Sequence, residues 1–226
     1  MNTILSSILD WSEVWAPMIP LLVLLFHRRQ PDCLKPVIVY LWLALLLNIT
    51  IDLIWILKKY LPYWLQSNNP VYNIQSVVRL ACFSVFFIRL PQSQFVGFRR
   101  ILAGISVVFI IINFSLFENF FNPKHLDGNL LSAEAYILLA YCMQYYLAEL
   151  RDDSKDFTNE PNFWVVTGLS IYVVVNFFVF LFYIPMYNKD GNLADKIWDV
   201  HNVAFILFCI LLTKAFYGPF RHKYSI

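Results

Sequence analysis

The sequence predicts an all-α integral membrane protein: a seven-transmembrane-helix bundle with its N-terminus outside and its C-terminus in the cytoplasm. Three observations predict it. Of 226 residues, 59% are hydrophobic and only 14% charged, against about 25% charged in soluble domains. Seven apolar segments each approach the roughly 20 residues that a helix needs to cross a bilayer. The basic residues between them divide unevenly from one connection to the next, which sets orientation.

The segments span approximately 5–27, 37–57, 70–89, 101–121, 129–149, 162–184 and 195–217. The first carries Asp10 and Glu13, is interrupted by Pro17 and Pro20, and is fully apolar only from Met18 to Phe26. Proline removes a helical hydrogen bond that neighbouring helices or water must replace, so a kink is expected there. No basic stretch or small-residue cleavage site precedes this segment, so it is expected to stay in the protein. The second segment is apolar except for Asn48 and Asp52 near its far end. The third opens Asn69-Pro70, with proline in the first turn, where its missing N–H goes unused. Tyr72, Gln75, Ser76 and Arg79 follow at i, i+3, i+4 and i+7, so one helical face carries all four. The fourth ends in Asn113, Glu118 and Asn119; the fifth begins with Ser132 and Glu134; the sixth holds Asn176; the seventh opens with Asp195, Trp198, Asp199, His201 and Asn202.

With the first segment starting outside, the inner side holds eleven basic residues: Arg28, Arg29, Lys35, Arg89, Arg99, Arg100, Arg151, Lys155, Lys214, Arg221 and Lys223. The outer side holds five: Lys58, Lys59, Lys124, Lys189 and Lys196. Eleven against five selects this orientation. Trp55, Tyr60, Tyr63, Trp64, Tyr183, Tyr187 and Trp198 then mark the outer interface, and Phe95, Phe98, Trp164 and Tyr217 the inner one. Connections are short and one half of the chain does not repeat the other, so a single domain over 1–226 is expected. The acidic run Glu149-Leu150-Arg151-Asp152-Asp153-Ser154-Lys155-Asp156 reads as a solvated turn.

This orientation places the polar residues of the spans in the outer half, while Val37–Leu47, Leu80–Ile88, Ile101–Ile110 and Phe205–Leu212 are almost free of ionisable groups. An arginine facing lipid costs roughly 2.5–3.5 kcal/mol at the centre of a helix. Arg79 is therefore expected to face the bundle interior, with Asp52, Glu134 and Asp199 as counter-charges. A pocket open to the outside follows, with Arg79 as an anion clamp and Tyr72, Gln75, His201 and Asn202 on its wall. The alternative is an Arg–carboxylate pair that only fixes helix register.

Other chemistry has little support. The chain lacks a His-Glu-x-x-His helix, a Gly-x-Ser-x-Gly elbow and a Gly-rich phosphate loop. Asp199, His201, Glu134 and Asp52 make a poor zinc set, which would use more nitrogen or thiolate. Retinal would need a lysine midway along the seventh span, and Lys214 lies near its inner end. An enzyme is not expected, nor a metal, a cofactor or a nucleic-acid partner; the net charge is only +2. Cys82, Cys142 and Cys209 lie in apolar runs, and no disulfide is expected of Cys33.

Two resemblances remain. Leu90-Pro91-Gln92 matches the dipeptide of the proline–glutamine loop family of small seven-helix carriers. Asn69-Pro70-Val71-Tyr72-Asn73-Ile74, Gly97-Phe98-Arg99-Arg100, Pro161-Asn162-Phe163-Trp164 with Gly168 and Tyr172, and Trp198-Asp199-Val200-His201-Asn202 together resemble a group of small bacterial seven-helix inner-membrane proteins. The second resemblance implies a multi-pass protein of the bacterial inner membrane. The expected function is a sensory or ligand-binding module for a small polar or anionic ligand, signalling through a cytoplasmic or membrane protein partner. A small-solute or ion/proton transporter is the alternative, and a structural subunit of a membrane complex the third.

Overall fold

A computed structural model describes residues 3–62, 66–92, 94–117, 128–151, 157–187 and 191–217. The Glu118–Asn119 end of the fourth segment, Tyr63, Trp64, Lys124, the acidic residues 152–156, Lys189, Arg221 and Lys223 lie outside the described residues. The described chain is helical, without strands: α1 (Thr3–Asp10), α2 (Ser12–Phe26), α3 (Lys35–Leu57), α4 (Asn69–Arg89), α5 (Val96–Ile112), α6 (Gly128–Glu149), α7 (Pro161–Tyr187) and α8 (Gly191–Tyr217). A π-helical turn, Asn113–Phe117, extends α5, and short 3-10 turns precede α3 and α7. Among the described residues, five helices are long and apolar enough to cross a membrane: those within Asp32–Leu57, Asn69–Arg89, Val96–Leu116, Pro161–Phe182 and Lys196–Tyr217. The apolar α2 is shorter.

Two departures from the sequence reading matter for the site, beyond shifts of up to four residues at the ends of α3, α7 and α8. The first segment divides at Trp11, ahead of its prolines, and Pro17 and Pro20 lie inside α2. Pro17 has no N–H to give the Glu13 carbonyl four residues earlier, and Asn48 of α3 donates to that carbonyl instead (2.6 Å). The fourth segment begins five residues early, at Val96, because Phe95 turns the chain through a left-handed conformation (φ 59°). Arg99, read as a loop charge, is thereby carried into the first turns of α5 and buried at 1% exposure.

Helix contacts close a ring in the order α2, α3, α4, α6, α7, α8 and back to α2, while α5 packs outside it on α4 and α6. Outward-facing apolar side chains recur at helical spacing: Val39, Trp42, Leu46, Ile49 and Leu53 on α3; Ile101, Ile105, Val108 and Ile111 on α5; Val200, Val203, Leu207 and Ile210 on α8. Soluble proteins rarely expose such continuous apolar surface, so these stripes suit acyl chains. Helix α6 is more enclosed, with Tyr136, Met143 and Leu147 its exposed large apolar side chains. Glu134, Leu138, Tyr141, Gln144 and Tyr145 are all buried, and their polar atoms lower the apolar content of this helix.

The core beneath the ring is aromatic. Tyr172 stacks on Phe208 (5.2 Å between centroids), Phe87 stacks on Tyr141 (4.8 Å), and Tyr40 and Phe83 lie between (5.1 Å). α7 and α8 approach closely at Gly168, where an added Cβ would lie 3.1 Å from Leu211 Cβ and from Phe208 Cδ2. Gly168→Leu is expected to wedge this pair apart and cost about 1–3 kcal/mol. A lowered unfolding midpoint of the purified protein in detergent checks this.

Candidate functional site

At the end of the ring where α4 begins, every ring helix contributes a polar side chain to one connected region. Its centre is Arg79, on the face of α4 that Tyr72, Gln75 and Ser76 share. The side chains of Arg79 and Glu134 are 8% and 3% exposed. Arg79 Nε donates to Glu134 Oε1, and Nη2 donates to Oε2 (2.9 Å), a two-point fork. Ser76 donates to the same carboxylate. Nη1 donates to the Tyr172 hydroxyl of α7 (2.8 Å), and the guanidinium carbon lies 5.2 Å from that ring's centroid. One charge of each sign is therefore buried together, joining α4, α6 and α7. Each partner removes most of the cost of burying the other.

A second pair lies opposite. His201 Nδ1 on α8 meets Asn176 Oδ1 of α7 (2.7 Å), and His201 Nε2 meets Glu13 Oε1 of α2 (3.0 Å). Tyr72 also donates towards Glu13, at Oε2 (3.5 Å). Gln75 donates to Asn48 (3.0 Å), the residue that holds the Glu13 carbonyl. Trp198, one turn before His201, stacks on the imidazole at 4.8 Å.

Between the two pairs lies a cavity of about 20 Å³, measured as the space open to the centre of a water molecule. One water needs about 10–15 Å³ on that measure. Polar walls come from Glu13, Tyr72, Gln75, Arg79 and His201, and aromatic walls from Tyr172, Phe180 and Phe205. Gln75 Oε1 is buried without a hydrogen-bond partner.

Of the three acids expected around Arg79, Glu134 is the one bound to it. Asp52 is half-buried on α3, near enough to Glu13 to feel its charge, and Asp199 is half-exposed on α8. Arg79, Tyr72, Gln75 and His201 reach the cavity. Asn202, next to His201, is buried away from its wall, and neither amide atom has a hydrogen-bond partner. Glu13 and Tyr172 complete the arrangement without having been singled out as site residues. An acid just ahead of two intramembrane prolines was the available signal for Glu13. Tyr172 had none beyond its place in the sixth segment. Among the described residues, no group of three His, Cys, Asp or Glu side chains is placed to hold a metal ion.

The opposite end of the ring has polar groups as well. Arg99 donates to the carbonyls of Phe87 (2.7 Å), Leu90 (3.4 Å), Gln92 (2.6 Å) and Gln94 (2.7 Å). It caps the C-terminus of α4, where a positive charge also complements the helix dipole. Gln144 is buried in the same half without a hydrogen-bond partner. This half of the bundle is thus mainly apolar, but not wholly so.

Comparison with protein-family models, curated proteins and solved structures finds no match to this chain. The functional reading therefore rests on the geometry.

Proposed function

We propose that this chain is a seven-span membrane sensor or ligand-binding module. In this reading α1–α2 and α6 join the five long apolar helices as spans, with the N-terminus outside and the C-terminus in the cytoplasm, as the loop charges favour. The chamber takes up a small polar solute or ion, and a separate cytoplasmic partner reads the resulting helix movement. The observation that carries the proposal is the convergence of five of the six ring helices on one small polar cavity above an aromatic floor, with Asn48 of the sixth, α3, holding Gln75 and the Glu13 carbonyl behind its wall. A ligand touching Glu13, Gln75 and His201 contacts three helices at once, so its binding bears on how they pack.

The geometry refines the expected role of Arg79. Three of its N–H groups are engaged by Glu134 and Tyr172, so Arg79 anchors the wall, and Glu13, Tyr72, Gln75 and His201 are left to meet the solute. A species larger than water enters only as the helices part, which couples binding to conformation. Transport would need a polar route onward, whereas Phe83, Phe86, Phe87, Phe205 and Phe208 fill the core below.

The test is thermal unfolding of the purified protein against a panel of small solutes: ammonium, acetate, bicarbonate, phosphate and small amino acids. Binding adds about 2.7 kcal/mol of stability when a ligand is present at 100 times its Kd. At least one solute is expected to raise the midpoint in the wild type and to do so much less in Gln75→Leu. No response to any solute overturns the proposal. Uptake of the responding solute into liposomes would move the reading to a transporter.

A further inference from the structure

We propose that Glu13 and His201 form a proton-binding site that clips α2 to α8. The proposal rests on the chamber described above and assigns its regulation to the proton. Asn176 Oδ1 faces His201 Nδ1 at 2.7 Å. A carbonyl oxygen only accepts, so with the Asn176 amide turned this way the hydrogen of the neutral ring is held at Nδ1. Nε2 is then left facing Glu13 Oε1 at 3.0 Å. Without a further proton, two acceptors confront each other, an imidazole lone pair and a carboxylate. With one proton, taken up from water and shared between Nε2 and Oε1, they form a charge-assisted hydrogen bond. No covalent bond changes. The proton enters on acidification and returns to water when it is withdrawn.

The surroundings suit a site that changes charge. The side chains of His201 and Glu13 are 7% and 13% exposed, so they are mostly shielded yet reachable through the cavity. Arg79, on the same wall, is already neutralised by Glu134. Among the described residues, the remaining titratable and charged groups on the elements around it include Tyr72 on α4, Tyr172 on α7, the half-buried Asp52 on α3, the half-exposed Asp199 on α8, and Asp10, exposed at the end of α1. None of them takes the place of Glu13 at Nε2. Further along the same helix pair, Gln30, just past α2, donates to the Phe216 carbonyl of α8 (3.2 Å). The α2–α8 seam is therefore fastened at both ends; at the far end His27 also meets Tyr217 edge-on (5.2 Å), but the Gln30 hydrogen bond there involves no titratable group.

Trp198, stacked on His201, supplies the readout, because a protonated imidazole quenches a neighbouring indole. Tryptophan emission of the 226-residue chain in detergent is followed from about pH 4 to pH 9, which brackets the range of about pH 5 to pH 8 in which an ordinary imidazole changes charge. A reversible one-proton loss of emission on acidification is expected in the wild type. It is expected to vanish in His201→Gln and in Trp198→Phe, and to keep its amplitude but move its midpoint in Glu13→Gln, which preserves shape. A wild type without the transition, an unchanged transition in His201→Gln, or an unmoved midpoint in Glu13→Gln overturns the proposal. The solute panel is repeated on either side of the midpoint. A solute that stabilises to the same degree at both pH values shows a ligand-binding chamber without proton control, which overturns this inference and leaves the proposed function standing. A His201-dependent transition with no solute response leaves the proton site standing and overturns the proposed function.

Discussion

Replacing Glu134 with leucine is expected to destabilise the protein by about 3–5 kcal/mol, the largest effect of any single change at the polar end. The cause is what remains. Arg79 is buried, and it has directed Nε and Nη2 at a carboxylate that is now gone. An uncompensated charge in the interior costs this much, whereas removing both charges together is often neutral or favourable. The double replacement Arg79→Met with Glu134→Leu is therefore expected to regain most of the lost stability, although Ser76 and Tyr172 lose partners. Unfolding midpoints of the two single variants and the double variant complete the cycle. If Glu134→Leu alone proves as stable as wild type, the guanidinium has another partner and this account of the site fails. A double variant that is stable and still responds to solutes would show that the pair sets register and nothing more.

Arg99→Met is expected to cost about 3 kcal/mol or more, through a different mechanism. Four carbonyls from Phe87 to Gln94 accept from one guanidinium, and each buried acceptor left bare costs about 1–3 kcal/mol. Phe95, in its left-handed conformation, is held among them. Arg99→Lys is expected to recover only part of the loss, since a single ammonium cannot spread over four carbonyls as a planar fork does. Proteolysis or hydrogen exchange between Leu90 and Phe95 should report the loosening, with the Arg79 end of the bundle little changed.

These two arginines show what sequence can carry. Arg79 was legible because it interrupts an apolar run at helical spacing from Tyr72, Gln75 and Ser76, and a cation there must face inward. Its partner was narrowed to three acids at similar depth. Choosing Glu134 required knowing that α4 packs against α6, and contact order between helices is a property of the whole ring. Arg99 was misjudged for a local reason. It follows Pro91 and a short polar stretch, as a cytoplasmic loop arginine would, and its burial depends on one residue, Phe95, turning through φ 59°. Glu13 gave no unambiguous signal, since an acid near the start of a segment also suits a helix N-terminus. What brings it to His201 is the seam between α2 and α8, two segments at opposite ends of the chain. The helices themselves were readable from apolar length; the long spans match to within a few residues, apart from the early start of α5.

Pro17 has a consequence for how the molecule is made. By releasing the Glu13 carbonyl, it leaves the first hydrophobic segment with an open acceptor and an acid that it cannot satisfy by itself. Asn48 arrives with the next helix to be synthesised, but His201 lies 188 positions later. Tyr72 of α4 reaches the acid in between. The polar contacts of the opening segment are thus gathered from α3, α4 and α8, so its packing is fixed by long-range assembly of the bundle and not by its own sequence.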